Sequence, residues 1–152
     1  MYGEKAKKLL KTQNYNYYAY VLLVLSSCYQ EENNFTPAIN SIKEAIEIYK
    51  VNNNVSGLVE SYVSLSDYYI KLKQYNKAKE YGLEAYQIAD TTNIELMESI
   101  YAVLKTSYIY LKDTENAAHY SALQIKNIKE RNNEIWAHKI ADAEAKYHYS
   151  FL

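Results

Sequence analysis

The sequence predicts an all-α fold, a solenoid of antiparallel helix pairs, on three observations. Glycine and proline are scarce, three Gly and one Pro in 152 residues, where a sandwich or barrel would need turn residues every ten positions or so. Apolar residues recur at steps of three and four, the spacing of one helix face, rather than in strand-like alternation. A block of such residues returns after 40 and then 39 positions, and a period of this size marks a repeat array. About eight helices are expected, over 2–12, 16–31, 36–51, 56–72, 76–91, 94–111, 114–131 and 133–150.

The repeat is read from three aligned segments: Leu22, Leu25, Tyr29 and Ala38; Tyr62, Leu65, Tyr69 and Ala78; Tyr101, Leu104, Tyr108 and Ala117. The Leu-to-Tyr step is four and the Tyr-to-Ala step nine in each. The Leu and Tyr residues form a seam along one face of a first helix. Each Ala marks the close approach of a second helix, where a larger side chain would push the backbones apart. Phe35 and Tyr75 stand three before their Ala, and Thr114 breaks this in the third copy. With 19 tyrosines, the core draws heavily on Tyr and Ala.

Helix ends are assigned from capping chemistry. Thr36-Pro37 reads as N-cap and first helical residue, and Thr92 with Glu95 as a capping box. Asn76, and Asp113 or Thr114, are the caps expected for other second helices. Residues 52–57 read as the loop between repeats.

These residues resemble the tetratricopeptide repeat family, with its pattern W-x2-L-G-x2-Y…A-x3-F…P. Leu25, Leu65 and Leu104 match its Leu, Tyr29, Tyr69 and Tyr108 its Tyr, and Ala38, Ala78 and Ala117 its Ala. Ser26, Ser66 and Lys105 stand in place of its Gly, and its closing Pro is missing. The resemblance implies a right-handed superhelix with 1–152 as one solenoid: a half repeat over 1–12, full repeats over 16–51, 56–91 and 94–131, and a terminal half repeat or capping helix over 133–152. Tyr2-Gly3-Glu4-Lys5-Ala6 parallels Tyr81-Gly82-Leu83-Glu84-Ala85, and Ile140, Ala143 and Tyr147 repeat the seam once more. Such ends fit a pair of caps or a piece of a longer protein, and copies joining end to end would bury both.

Several function classes are disfavoured. No Gly-rich phosphate loop is present, and no catalytic residue or cofactor is expected. Cys28, the single cysteine, reads as a buried structural thiol and leaves the redox compartment open. A lipoprotein signal is the competing reading of Lys5, Lys7, Lys8 and Lys11, the run 20–25 and Cys28, but the apolar run is short and Asn14 and Asn16 sit at its edge. His138 with Glu134 and Asp142, and His148 with Glu144, read as solvated helix faces rather than metal ligands. His119 reads as an ordinary structural histidine. Seventeen basic residues balance 18 acidic ones, with one arginine, Arg131. The lysine groups at 5–11 and 71–79 are therefore not expected to bind nucleic acid. No run of 18 apolar residues occurs, so no membrane span is expected. Cytoplasm and periplasm both stay open.

What is left is recognition. The resemblance implies a concave groove lined by the first helices. Its candidate residues are Tyr20, Leu23, Ser27, Gln30 and Glu31; Glu60, Val63, Asp67, Ile70 and Lys71; Ser99, Ala102, Thr106, Ile109 and Tyr110. Tyr20 and Tyr110 are the expected aromatic anchors. The family's chaperone-tail type grips a carboxylate with cations, where this chain has Leu23, Ser27, Ser64, Ser99 and Val103. Glu31, Glu60 and Asp67 suit a neutral or basic peptide instead. The implied function is a non-enzymatic protein- or peptide-binding module, the regulatory or sensory part of a larger bacterial signalling protein. The alternative is a structural adaptor that works through its ends or convex face.

Overall fold

The computed structural model describes residues 15–149, with side chains to 142. The described residues form six helices and no strand: α1 (Tyr15–Glu31), α2 (Phe35–Val51), α3 (Val55–Lys71), α4 (Tyr75–Ile88), α5 (Ile94–Tyr110) and α6 (Thr114–Tyr149). The predicted helix 2–12 and the lysine group at 5–11 lie outside these residues. Two expected helices, 114–131 and 133–150, are a single element, because α6 runs without a break through Asn132 and Asn133.

The helices pack in sequence, each against its neighbour, and α3 also touches α5. Ala38 and Ala78 are completely buried at the expected close approaches, and Ala117 is half-buried. Leu22, Ile42, Leu65, Met97, Ile100 and Leu104 are fully buried, each contributing about 1.5–3 kcal/mol by leaving water. Tyrosines join the helices at a repeating register. Tyr69 stacks on Tyr81 at 5.5 Å, and Tyr108 on Tyr120 at 5.6 Å. Buried Ser41 holds the equivalent place in α2. The Tyr68 hydroxyl donates to the Ser26 carbonyl at 2.6 Å, tying α3 to α1. The serines in the family's Gly position are buried and bonded: Ser66 Oγ donates to the Ala78 carbonyl at 2.7 Å and Ser26 Oγ to that of Leu23 at 2.6 Å.

Four of the five connections are three-residue turns built alike. The middle residue has positive φ: Asn33 (56°), Asn53 (52°), Lys73 (59°) and Lys112 (62°). Its N–H bonds the carbonyl three residues back, and the next N–H reaches five back, as in Asn33 to Gln30 and Asn34 to Tyr29. This is the left-handed helix ending usually given to Gly. Asn tolerates it well and Lys less so.

The third turn residue is the N-cap, which shifts the expected caps. Asn34, not Thr36, precedes α2, and makes no side-chain cap bond. Pro37 sits in the first turn, where its missing N–H has no helical acceptor anyway. Asn93, not Thr92, caps α5, accepting from Leu96 N at 3.0 Å, while Thr92 bonds Asp90 instead. Gln74, not Asn76, precedes α4. Asp113 does cap α6, accepting from Asn116 N at 3.1 Å. The expected loop 52–57 is shorter: Asn54 accepts from Gly57 N at 2.9 Å, and Gly57 is already helical and buried against Tyr49.

Candidate functional site

Tyr20, Glu60 and Ser99 occupy one register position in successive first helices, as do Leu23, Val63 and Ala102. Packing α1, α3 and α5 side by side therefore brings rows of like-numbered residues together. The outcome is an open cavity of about 340 Å³ lined by Tyr20, Leu23, Val24, Ser27, Glu60, Val63, Ser64, Leu96 and Ser99. Tyr20 and Val24 are 55% and 46% exposed, so an aromatic and a branched apolar side chain stand ready on the α1 wall. The hydroxyls of Ser27 and Ser99 turn back to the helix carbonyls of Leu23 and Glu95. Glu60 is exposed and supplies the lone formal charge in this lining. Its field reaches the neighbouring hairpin: burial first, then the Glu60 carboxylate and Tyr20, push the Tyr49 hydroxyl above the ordinary phenol range.

Of the candidates read from sequence, Tyr20, Leu23, Ser27, Glu60, Val63 and Ser99 share this cavity, and Gln30, Glu31, Asp67, Ile70, Lys71, Ala102, Thr106, Ile109 and Tyr110 are not in its lining. Asp67 and Lys71 form an ion pair at 2.7 Å, and the Lys71 ammonium also sits 5.8 Å from the Tyr68 ring. The Asp67 charge is thus partly neutralised locally. Ile70 packs against the core. Thr106 donates to the Ala102 carbonyl at 2.8 Å. Ile109 is exposed at the end of α5. Tyr110 has a face covered by Tyr75, with rings 4.4 Å apart and nearly parallel. Glu31 ends α1 and is exposed. Val24, Ser64 and Leu96 belong to the cavity and were not among the groove candidates read from sequence. The signal for Val24 is its step of four from Tyr20.

A second concavity of about 540 Å³ lies between the start of α1 and the end of α2, lined by Tyr15, Glu44, Glu47, Ile48, Val51 and Asn52. Its acids are engaged: Tyr18 donates to Glu44 at 2.7 Å and Lys50 to Glu47 at 3.2 Å.

Cys28 is exposed rather than buried. It lies one residue before the half-buried Tyr29, rotated off the seam. Glu134, His138 and Asp142 are exposed along α6. Among the described residues no group of three or more His, Cys, Asp or Glu is placed to hold a metal ion. No helix among them is long and apolar enough to cross a membrane. His148 and Glu144 fall outside the described side chains.

A family model described as a tetratricopeptide repeat matches residues 19–52 and 59–92, the helix pairs α1–α2 and α3–α4. No curated protein matches the chain.

Proposed function

Because the chain belongs to the tetratricopeptide repeat family, whose repeats generally mediate protein–protein interaction, we propose that it is a non-enzymatic module that holds a protein or peptide segment in the cavity between α1, α3 and α5. The single observation that carries this reading is the convergence of three first helices on one concave, largely apolar surface with Glu60 as its charge. An apolar side chain seats between Tyr20, Leu23 and Val63, and a Lys or Arg beside it faces Glu60. The segment is therefore neutral or basic, and a C-terminal carboxylate finds no cation in this lining. Tyr20 brings contact area with few rotors to freeze. The wider role we assign is regulatory or sensory, within a larger bacterial signalling protein.

A peptide array read by fluorescence titration tests this. Tyr20→Ala should weaken a selected peptide by about tenfold or more, as for an aromatic anchor. Glu60→Lys should select against basic peptides specifically. Lys71→Ala, outside the cavity, is the control. Binding indifferent to both cavity substitutions would overturn the reading.

A second reading, an adaptor working through an end, is supported by the bare apolar side chains of α6, with Trp136 and Ile140 63% and 57% exposed.

A further inference from the structure

In the first two helix pairs, the second helix is covered by the first helix of the next repeat: α3 packs on α2, and α5 on α4. The last second-type helix lacks such a cover among the described residues. Its contact with the body ends at Arg131, whose guanidinium lies 2.6 Å from the buried Oε2 of Glu98, an oxygen that accepts no other bond. Beyond it, residues 132–142 are all exposed. Ile125 shows the difference directly. It is 52% exposed, whereas Ile46, its register equivalent on α2, is 4% exposed.

The missing cover is written into the same helix. Asn54 and Asn93 cap α3 and α5, and Asn133 continues their spacing of 39 and 40. Past it, Trp136 and Ile140 carry the apolar face a first helix would present. They fall on one line of α6 with Ala118, Ala122 and Ile125, at steps of four, three, eleven and four. All five are exposed. The line is small on its N-terminal half and bulky on its C-terminal half. A straight α6 cannot fold its own bulky half back on its small half.

We propose that two copies of this chain pair their α6 helices antiparallel, about a two-fold axis near Asn132. Residues 133–142 of each copy then lie against the bare face of residues 122–131 on the other. The contact α2 makes with α3 across Asn53 serves as the template. There Tyr49 closes over Gly57, so tightly that a methyl group on Gly57 would lie 2.6 Å from the ring. Counted from Asn54 and Asn133, which stand three residues before Gly57 and Trp136, the corresponding residues are Ile128 and Trp136. In the pair, Ile128 of one copy meets Trp136 of the second, and the small Ala122 makes room beside Ile140. Charge agrees in sign: Lys126 and Lys129 outnumber Glu130 before Asn132, and Glu134 and Asp142 outnumber Lys139 after it. The contact is isologous and closes on two copies, unlike end-to-end joining. It is independent of the groove.

Trp136 is the sole tryptophan and so reports its own burial. The test is light scattering and tryptophan emission on the full 152-residue chain across a dilution series. The expected result is a doubling of mass with concentration and a blue shift of emission over the same range. Ile140→Lys and Ala122→Glu, both at exposed sites, should each weaken the dimer at least about tenfold and leave the thermal unfolding of the body unchanged. Asn132→Ala with Asn133→Ala, which favours a straight helix, should keep or tighten it. A monomer with red-shifted emission at every concentration would overturn the proposal. So would a dimer that keeps red-shifted emission or survives Ile140→Lys. Blue-shifted emission independent of concentration also overturns it, because α6 would then be broken and covered by its own chain.

Discussion

Residues 52–54 and residues 131–133 are chemically alike, each with adjacent asparagines after a helix of the second type. In the first the chain turns sharply, with Asn53 left-handed and Asn54 capping α3. In the second it stays helical. Local turn chemistry therefore does not decide where these helices break. What differs is the cover. Past Asn54 stand Val59, Leu65 and Tyr69, all buried against neighbouring helices. Past Asn133 stand Ile135, Trp136 and Ile140, all bare. A turn forms where burying the next seam outweighs the helical hydrogen bonds lost, and burial of several large side chains at about 1.5–3 kcal/mol each is enough to do so.

The sharpest break of this comparison is truncation on either side of it. Leu65→Ala or Leu104→Ala, at fully buried sites, should cost about 2–5 kcal/mol in denaturant unfolding. Ile140→Ala, at an exposed site on α6, should stay within about 0.5 kcal/mol for the monomer. Next in size is overpacking. Ala78→Leu pushes into a fully buried contact whose carbonyl is held by Ser66, and should lower stability by about 1–3 kcal/mol. Ala122→Leu, on the bare face of α6, should be nearly silent in the monomer.

The turns sharpen the comparison in the other direction. Lys73→Gly and Lys112→Gly relieve a left-handed backbone that costs a β-carbon about 1 kcal/mol, and each should raise the unfolding midpoint correspondingly. Asn132→Gly, within the uninterrupted α6, should lower helix content instead.

The smallest effect is on acid stability. The side chain and then the backbone N–H of Asn116 hold the Asp113 carboxyl below the ordinary carboxylate range. A depressed folded-state pKa stabilises above the unfolded value, and that stability is lost as pH falls through the folded one. Stability curves should therefore droop at and below the normal Asp range, and Asp113→Asn should flatten that droop slightly.

Much of the fold is legible in the sequence because seam and spacer sit at fixed offsets. Leu65, Leu104, Ala38 and Ala78 report their burial through spacing alone. The caps slipped by one or two residues: at α2 and α4 the third residue of a left-handed turn takes the cap whatever its neighbours offer, and at α5 Asn93 takes it from the adjacent Thr92, which bonds Asp90. The break expected near Asn132 failed for the reason above: it depends on a surface to cover, which local sequence does not encode. In the groove, Tyr20, Glu60 and Ser99 were readable from register. The Asp67–Lys71 pair was readable as a step of four. The stacking of Tyr75 over Tyr110 was not, because it joins different helices.

Amide hydrogen exchange along α6 in dilute solution tests directly whether cover decides the break. Slow exchange through α3, α5 and the first part of α6, with protection falling off sharply just past Arg131, is the predicted result. Protection that continues undiminished through residues 132–142 in the dilute monomer would contradict it.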